Sequence, residues 1–248
     1  MPMVQIDGLT KRYGRHTVVD KLSFACEAGE VLGFLGPNGA GKSTTMKMLT
    51  GFVAPSAGTA SIRGHDIQSD TLAAQRCIGY LPEGAPLYAE MTVRTFLDFI
   101  ANIRGLDGTR RRNRMQEVIE LLHLGPVLDQ SIDTLSKGFK RRVGLAQAIV
   151  HDPEILILDE PTDGLDPNQK HEVRQLIRSM SAEKLIVIST HILEEVDAVC
   201  TRAIIVANGR LLVDDTPAAL AEQGNADLES VFRNLTQASN VETSEAAV

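Results

Sequence analysis

The chain has 248 residues, with 25 Lys and Arg against 32 Asp and Glu, a net charge of −7, three cysteines and no tryptophan. That length fits one compact domain, or one core with an inserted subdomain, and a hydrophobic content of 43% excludes wholesale disorder. Three separated cysteines without a CxxC pair argue against a disulfide framework and a cysteine-based zinc site.

The apolar runs of the sequence have the length of strands, and none approaches the roughly 20 residues that a membrane-spanning helix needs. The N-terminus lacks the basic start and the long apolar stretch of a signal peptide. We therefore expect a soluble cytosolic chain, whose contact with a membrane would come through a partner protein.

The first part of the chain predicts antiparallel strands, because residues 3–7, 17–24 and 58–62 alternate apolar and polar side chains. Continuous aliphatic runs at 31–35, 155–158 and 185–188 predict parallel strands that are buried on both faces. Helix-period segments follow these runs at 42–50, 167–180 and 193–199. Between them, residues 92–103, 109–122 and 137–150 predict a helical insertion.

A phosphate-binding loop is predicted where the strand at 31–35 meets the helix at 42–50. Residues 36–43 match GxxxxGK[ST], in which backbone N–H groups and the helix N-terminus surround phosphate oxygens. Lys42 would reach the β- and γ-phosphates, and the Ser43 hydroxyl would bind Mg²⁺. The predicted loop residues are Gly36, Pro37, Asn38, Gly39, Ala40 and Gly41.

Two carboxylates follow the aliphatic run at 155–158. Asp159 is predicted to hold Mg²⁺ with its water shell, and Glu160 to orient or deprotonate the attacking water. A nucleotide-hydrolysing site is therefore expected at the carboxyl edge of the parallel sheet. The fold predicted is α/β: a P-loop NTPase core with a parallel sheet, an N-terminal antiparallel β subdomain and an inserted helical subdomain.

Five motifs in this order resemble the ATP-binding subunit of an ABC transporter, over residues 3 to about 213. They are residues 36–44, Leu-Ser-Lys-Gly-Phe at 135–139 (the signature segment), Asp-Glu-Pro-Thr at 159–162, Gly-Leu-Asp at 164–166 and Ser-Thr-His at 189–191. The resemblance implies a cassette at 1–213, with its helical subdomain at about 85–150. Residues 214–248 then form an acidic extension, with seven acids and one base, whose end is expected to fray from about Thr236.

The resemblance also implies roles for individual residues. Tyr13 would stack on adenine, Glu160 would be the catalytic carboxylate assisted by Lys42, and His191 would contact the γ-phosphate and the attacking water. In a head-to-tail dimer, the signature segment would close over the other protomer's nucleotide. The remaining nucleotide contacts that the resemblance implies are Thr44, Ser136, Gly138 and Asp166. Ser136 by itself is typical of an N-cap of the helix behind it.

The sequence departs from the family pattern at three positions. Lys137 and Phe139 replace a glycine and a glutamine in the signature segment, and Glu83 replaces the glutamine that usually ends the loop toward the membrane partner. A carboxylate at position 83 can still bind Mg²⁺ or its water, although it adds a negative charge near the phosphates.

Together with residues 189–196, these departures resemble exporter subunits of the gliding-motility and multidrug type. The resemblance implies ATP and Mg²⁺ as ligands, a membrane permease and a second ATP-binding subunit as partners, and a location at the cytoplasmic face of the membrane. The alternative is a soluble ABC ATPase that acts with a cytosolic scaffold or a nucleic acid. A small-molecule kinase would leave the signature segment unexplained.

Two basic runs have two interpretations. Arg110–Arg112 with Arg114, and Lys140 with its two following arginines, could bind nucleic acid, or they could form solvated helix faces toward lipid headgroups or a partner. The second interpretation is favoured because no aromatic residues are interleaved with the arginines. No nucleic-acid partner is therefore expected.

Overall fold

The computed structural model describes residues 2–223 and 228–245. The strands are β1 (Val4–Tyr13), β2 (His16–Cys26), β3 (Val31–Leu35), β4 (Ala57–Ile62), β5 (His65–Asp66), β6 (Ile78–Leu81), β7 (Ile155–Asp159), β8 (Leu185–Thr190), β9 (Arg202–Ala207) and β10 (Arg210–Asp215). The α-helices are α1 (Lys42–Leu49), α2 (Thr71–Arg76), α3 (Val93–Ile103), α4 (Gly108–Leu121), α5 (Lys137–Ile149), α6 (Pro167–Met180), α7 (Leu193–Val199), α8 (Pro217–Gln223) and α9 (Leu228–Glu245).

The larger sheet has six strands in the order β10-β9-β3-β8-β7-β6, all parallel except β10, which runs antiparallel to β9. Every residue of β3, β7 and β8 is buried, as the continuous aliphatic runs predict. Because β8 lies between β3 and β7, the carboxyl ends of these three strands meet at one edge. The phosphate loop (residues 36–41), Glu160 and His191 all follow these ends.

The smaller sheet is antiparallel, in the order β2-β1-β4-β5, and confirms the predicted N-terminal β subdomain. It shares a core with the larger sheet: Leu9 and Leu22 belong to the same buried cluster as Met46 of α1 and Phe34 and Ile157 of the larger sheet. Burial of α1 between the two sheets holds the start of that helix against the phosphate loop.

The helical insertion lies between β6 and β7 and contains α3, α4 and α5, each within one residue of its predicted bounds. Phe96 and Leu97 of α3 and Val143 and Leu145 of α5 are buried in one cluster with Leu158 of β7. The helical subdomain therefore shares a core with the strand that leads to Asp159 and Glu160.

The C-terminal helices pack beside β3 and β9 of the larger sheet, where Leu220 and Leu228 share a cluster with Leu35 and Ile205. Strand β10 runs through the proposed boundary at 213, which remains a prediction. Where fraying is expected from Thr236, the structure continues α9 to Glu245, and residues 246–248 lie outside the described residues. No helix in the described ranges has the length and apolarity to cross a membrane.

Candidate functional site

The phosphate loop is shaped by glycines that other residues could not replace. A Cβ on Gly36 would lie 2.4 Å from the Val206 carbonyl oxygen, and one on Gly41 would lie 2.6 Å from that of Val18. Gly41 also has φ of +99° and directly precedes α1, so its backbone turns from the loop into the helix in the left-handed region. The loop therefore presents its N–H groups at the helix N-terminus, where an anion is stabilised.

Lys42 is the first residue of α1 and lies folded over the loop. Its Nζ donates to the carbonyl oxygens of Gly36 at 2.7 Å and Pro37 at 3.3 Å. Burial lowers the pKa of Lys42, whereas the nearby carboxylates of Glu160, Asp159 and Glu83 act to raise it. The ammonium group is thus held among three acids at the mouth of the loop, where it can bind a phosphate.

Asp159 ends β7 opposite the first turn of α1. The Ser43 Oγ donates to Asp159 Oδ1 at 3.3 Å, while Asp159 Oδ2 is buried and has no hydrogen-bond partner. A buried carboxylate oxygen without a partner costs free energy unless a further group binds it. A hydroxyl beside a carboxylate is a donor set that Mg²⁺ takes together with phosphate oxygens.

Glu160 follows Asp159 in the left-handed region, with φ of +50°. Its N–H donates to the Ser189 carbonyl of β8 at 2.8 Å, and its Oε1 lies 2.9 Å from His191 Nδ1. The pairing of β7 with β8 sets this contact, because Asp159 is registered with Ser189. The Glu160 side chain is largely buried and His191 is half exposed, so the pair opens to solvent on the histidine side.

A cavity of about 300 Å³ joins Lys42 and Ser43 to Glu160. Its lining is formed by Val18 of β2, residues 38–44, Glu83 and Glu160. The cavity places Glu83, predicted from its loop after β6, beside the phosphate loop and Glu160. The sequence-predicted residues from Asn38 to Thr44 therefore form one continuous pocket.

The predicted nucleotide contacts outside that lining are Gly36 and Pro37, whose carbonyl oxygens accept from Lys42, and four residues beyond the loop. Tyr13 ends β1 half exposed, with Lys11 Nζ 5.0 Å from its ring centroid. Asp166 caps α6, where its side chain accepts from the Gln169 N–H at 3.0 Å in a capping box. All the nucleotide contacts assigned from the sequence, those of Tyr13, Ser136, Gly138 and Asp166 included, remain predictions.

The signature segment lies at the start of α5. Ser136 is exposed and caps the helix by accepting from the Phe139 N–H at 3.3 Å, as its sequence context predicts. A Cβ on Gly138 would lie 2.4 Å from Gln169 Nε2, so the starts of α5 and α6 are in close contact. Lys137 forms an exposed ion pair with Asp163, at 3.4 Å.

Arg141 corrects one expectation from the sequence. The run 140–142 suggests a solvated face, yet Arg141 is only 5% exposed. Its guanidinium is buried because it donates to backbone carbonyls, from Nε to Pro161 at 2.8 Å and from Nη2 to Asp159 at 3.0 Å. Three consecutive basic residues on a helix gave no sign of this, since only the position of α5 on β7 determines which one faces inward.

Glu195 is a second group that the sequence analysis did not single out. It lies on α7, one turn after His191, and is 2% exposed, with Oε1 lacking a hydrogen-bond partner. Burial raises the pKa of Glu195, the charge of Glu160 raises it further, and a hydrogen bond from the Thr190 hydroxyl lowers it. A buried carboxyl therefore lies directly behind the strand end that carries His191.

A family model described as ABC transporter matches residues 19–163, which include the phosphate loop, the signature segment and Glu160. The chain belongs to the ABC transporter family. Within that family it is an ATP-binding protein and an ATPase, as the sequence analysis predicted.

Individual ABC proteins are similar to this cassette over most of its length. The Nod factor export ATP-binding protein I of Ralstonia nicotianae is 38% identical over 217 residues, or 87% of this chain and 68% of that protein. A solved ATP-binding subunit of an ABC transporter superposes with a TM-score of 0.87 at 29% identity, covering 94% of this chain and 99% of the other. For cbiO1 of Clostridium perfringens, part of the ABC transporter complex cbiONQ, the TM-score is 0.80 at 25% identity, covering 98% and 99%.

Proposed function

We propose that two copies of this cassette bind two ATP molecules between them and that their hydrolysis powers export through a separate membrane permease. The observation that carries the proposal is the position of Ser136. It caps α5 at an exposed helix N-terminus outside the lining of the pocket that contains Lys42. A second anion-binding helix end in the same chain is then available for the nucleotide of another chain.

We propose Mg²⁺ as the metal that accompanies ATP, held by Ser43 and Asp159. The partnerless Asp159 Oδ2 and the adjacent Ser43 hydroxyl support this assignment, and Glu83 lines the same pocket as a further ligand for the metal or its water. When bound, the metal supplies positive charge that offsets the negative charge of the phosphates.

Three side chains have separate roles in phosphate binding and hydrolysis. Lys42 exchanges its carbonyl contacts for the β- and γ-phosphate oxygens, which form stronger, charge-assisted hydrogen bonds. Glu160 accepts a hydrogen bond from the attacking water and takes its proton as the water attacks the γ-phosphorus, while the bond from that phosphorus to the bridging oxygen breaks and ADP leaves. His191 holds the Glu160 carboxylate through Nδ1, and we infer that the other edge of its half-exposed ring contacts the γ-phosphate when ATP is bound.

The proposal that this chain powers export is supported by the names of similar proteins. The Ralstonia protein is named for Nod factor export, and cbiO1 is part of a larger transporter complex. We infer a permease partner for this chain too, and hence a peripheral location at the cytoplasmic face of the membrane. The cargo contacts would lie in that permease.

The test is fractionation of cells that express the tagged chain from its native locus. We expect it in the membrane fraction, in a detergent-stable complex with one multi-spanning protein identified by mass spectrometry. Reconstitution of that complex in liposomes should give ATP hydrolysis that is stimulated relative to the chain alone. Recovery only in the soluble fraction, bound to a scaffold or to nucleic acid, would contradict the permease proposal.

A further inference from the structure

Arg141 contacts the backbone on both sides of Glu160. From the middle of α5, its guanidinium donates to the carbonyl of Asp159 at 3.0 Å and to that of Pro161 at 2.8 Å. The side chain is almost fully buried, and within the described ranges it forms no ion pair. Both of its directional contacts are therefore made to carbonyl groups of the two residues that flank Glu160 in the chain.

Burying the charged guanidinium of Arg141 costs free energy, which its contacts must offset. Burial lowers the pKa of Arg141, and only the surrounding charges of Asp163, Asp159, Glu160 and Glu195 oppose that effect. Glu160 itself has a positive φ of +50°, a conformation that a non-glycine residue keeps only when its surroundings hold it. The two hydrogen bonds from Arg141 are contacts that do so.

The neighbouring Arg142 shows that the charge of an arginine on this helix does not by itself bring it into contact with the backbone beside Glu160. Arg142 forms an ion pair with Glu172 and lies over the Phe139 ring, 5.4 Å from its centroid, at the boundary of α5 and α6. It contacts neither carbonyl beside Glu160. Two adjacent arginines of one helix thus have different surroundings, and of the two only Arg141 contacts the backbone beside Glu160.

We propose that Arg141 is a positioning residue for hydrolysis: it fixes the peptide groups around Glu160 so that the carboxylate stays against His191 and in the pocket. The inference rests on the catalytic role proposed for Glu160. It also joins the start of α5, where Ser136 lies, to Glu160 through one helix and two hydrogen bonds.

Arg141→Met tests the proposal, since it keeps an unbranched, though shorter, side chain in the buried position and removes every donor. We expect kcat for ATP hydrolysis to fall on the order of 10- to 100-fold, as for a misplaced catalytic group, while KM for ATP changes by less than about twofold. Should that variant fail to fold, Arg141→Gln should show the same split in milder form, because a shorter neutral amide reaches at most one of the two carbonyls.

The matched control is Arg114→Met. Arg114, on α4, likewise donates to two backbone carbonyls, those of Ile149 at 2.9 Å and Val150 at 3.3 Å. These carbonyls lie at the C-terminal end of α5, away from the pocket. We expect this variant to lose thermal stability and to keep kcat within about twofold. An Arg141 variant that loses stability but keeps kcat, as the control does, would overturn the proposal.

A double-mutant cycle identifies the route of the effect. In the Glu160→Gln background, Arg141→Met should cause no further loss of hydrolysis, because its action passes through Glu160. The full loss in that background would overturn the proposal while leaving the proposed function intact. Wild-type hydrolysis by Glu160→Gln alone would instead overturn both, so the two failures are distinguishable.

Discussion

Without a nucleotide, Lys42 donates to carbonyl oxygens of the phosphate loop, and a bound phosphate would replace them as acceptors. Its Nζ donates to Gly36 and Pro37; burial lowers the pKa of Lys42, and three nearby carboxylates oppose that effect. Only a strongly charged ligand oxygen competes with those contacts, which makes the loop selective for phosphate over neutral ligands.

Lys42→Ala should therefore weaken ATP binding on the order of 10- to 100-fold, which corresponds to the loss of one charge-assisted hydrogen bond. Titration with a fluorescent ATP analogue measures the change. Lys47→Ala is the control, since Lys47 is exposed on the same helix. Equal affinities for the wild type and Lys42→Ala would count against the phosphate-site assignment.

Single residues were predictable where a motif fixes both residue type and neighbours. The loop at 36–43, Asp159 and Glu160 are of that kind, and all lie where the sequence places them. Arg141 and Glu195 were not predictable, because their burial depends on how α5 and α7 pack on the larger sheet. For these two, the local sequence shows only a basic run and an acidic pair.

At the scale of elements, N-caps set where three helices begin, although only Ser136 among them was identified as a cap from the sequence. Thr92, Ser136 and Asp166 each precede a helix and accept from its third N–H, so α3, α5 and α6 begin where the sequence indicates. The first strand was predicted too short. Its alternation stops at residue 7 because the register shifts between Ile6 and Leu9, where Gly8 has a positive φ, although pairing continues to Tyr13.

His151 joins the end of α5 to the larger sheet and gives the fold a dependence on pH. Its Nε2 lies 3.1 Å from the Ile78 carbonyl oxygen, and its buried Nδ1 has no hydrogen-bond partner. Burial, with a smaller contribution from the charge of Arg104, lowers the pKa of His151 to about 4. Between that value and the usual 6.5, the unfolded chain binds a proton that the folded chain does not.

The free energy of unfolding should therefore fall as the pH is lowered from 7 to 5, because protonation favours the unfolded state in this window. In His151→Gln the fall should be smaller, by up to about 2 kcal/mol, since the amide does not titrate. Urea unfolding at the two pH values measures the difference between the two proteins. Equal falls would show that His151 does not carry the effect.

At the scale of the whole molecule, the pocket and the exposed start of α5 lie apart, and this separation makes one chain an incomplete site in the proposed function. Neither dimerisation nor the permease could be derived from composition or periodicity, because both depend on surfaces that meet other chains. The acidity of the chain likewise gives no guide to a partner, since most of the net charge lies beyond residue 213.

Two nucleotides held between two chains predict dimerisation that depends on ATP. Glu160→Gln, which should trap bound ATP, is expected to have the mass of a dimer by multi-angle light scattering with ATP and Mg²⁺. With ADP the same protein should have the mass of a monomer, because the γ-phosphate that the signature segment would contact is absent. A monomeric mass under both conditions would contradict the composite site.

The most direct test of the account is ATP hydrolysis and ATP binding by Glu160→Gln, measured beside Glu194→Gln, a control in which the altered carboxylate is exposed. The account predicts that Glu160→Gln binds ATP as the wild type does and loses hydrolysis on the order of 10²- to 10⁴-fold, because the amide cannot take the proton of the attacking water. Glu194→Gln should match the wild type in both. Hydrolysis by Glu160→Gln at the wild-type rate would contradict the assignment of the catalytic carboxylate and the mechanism built on it.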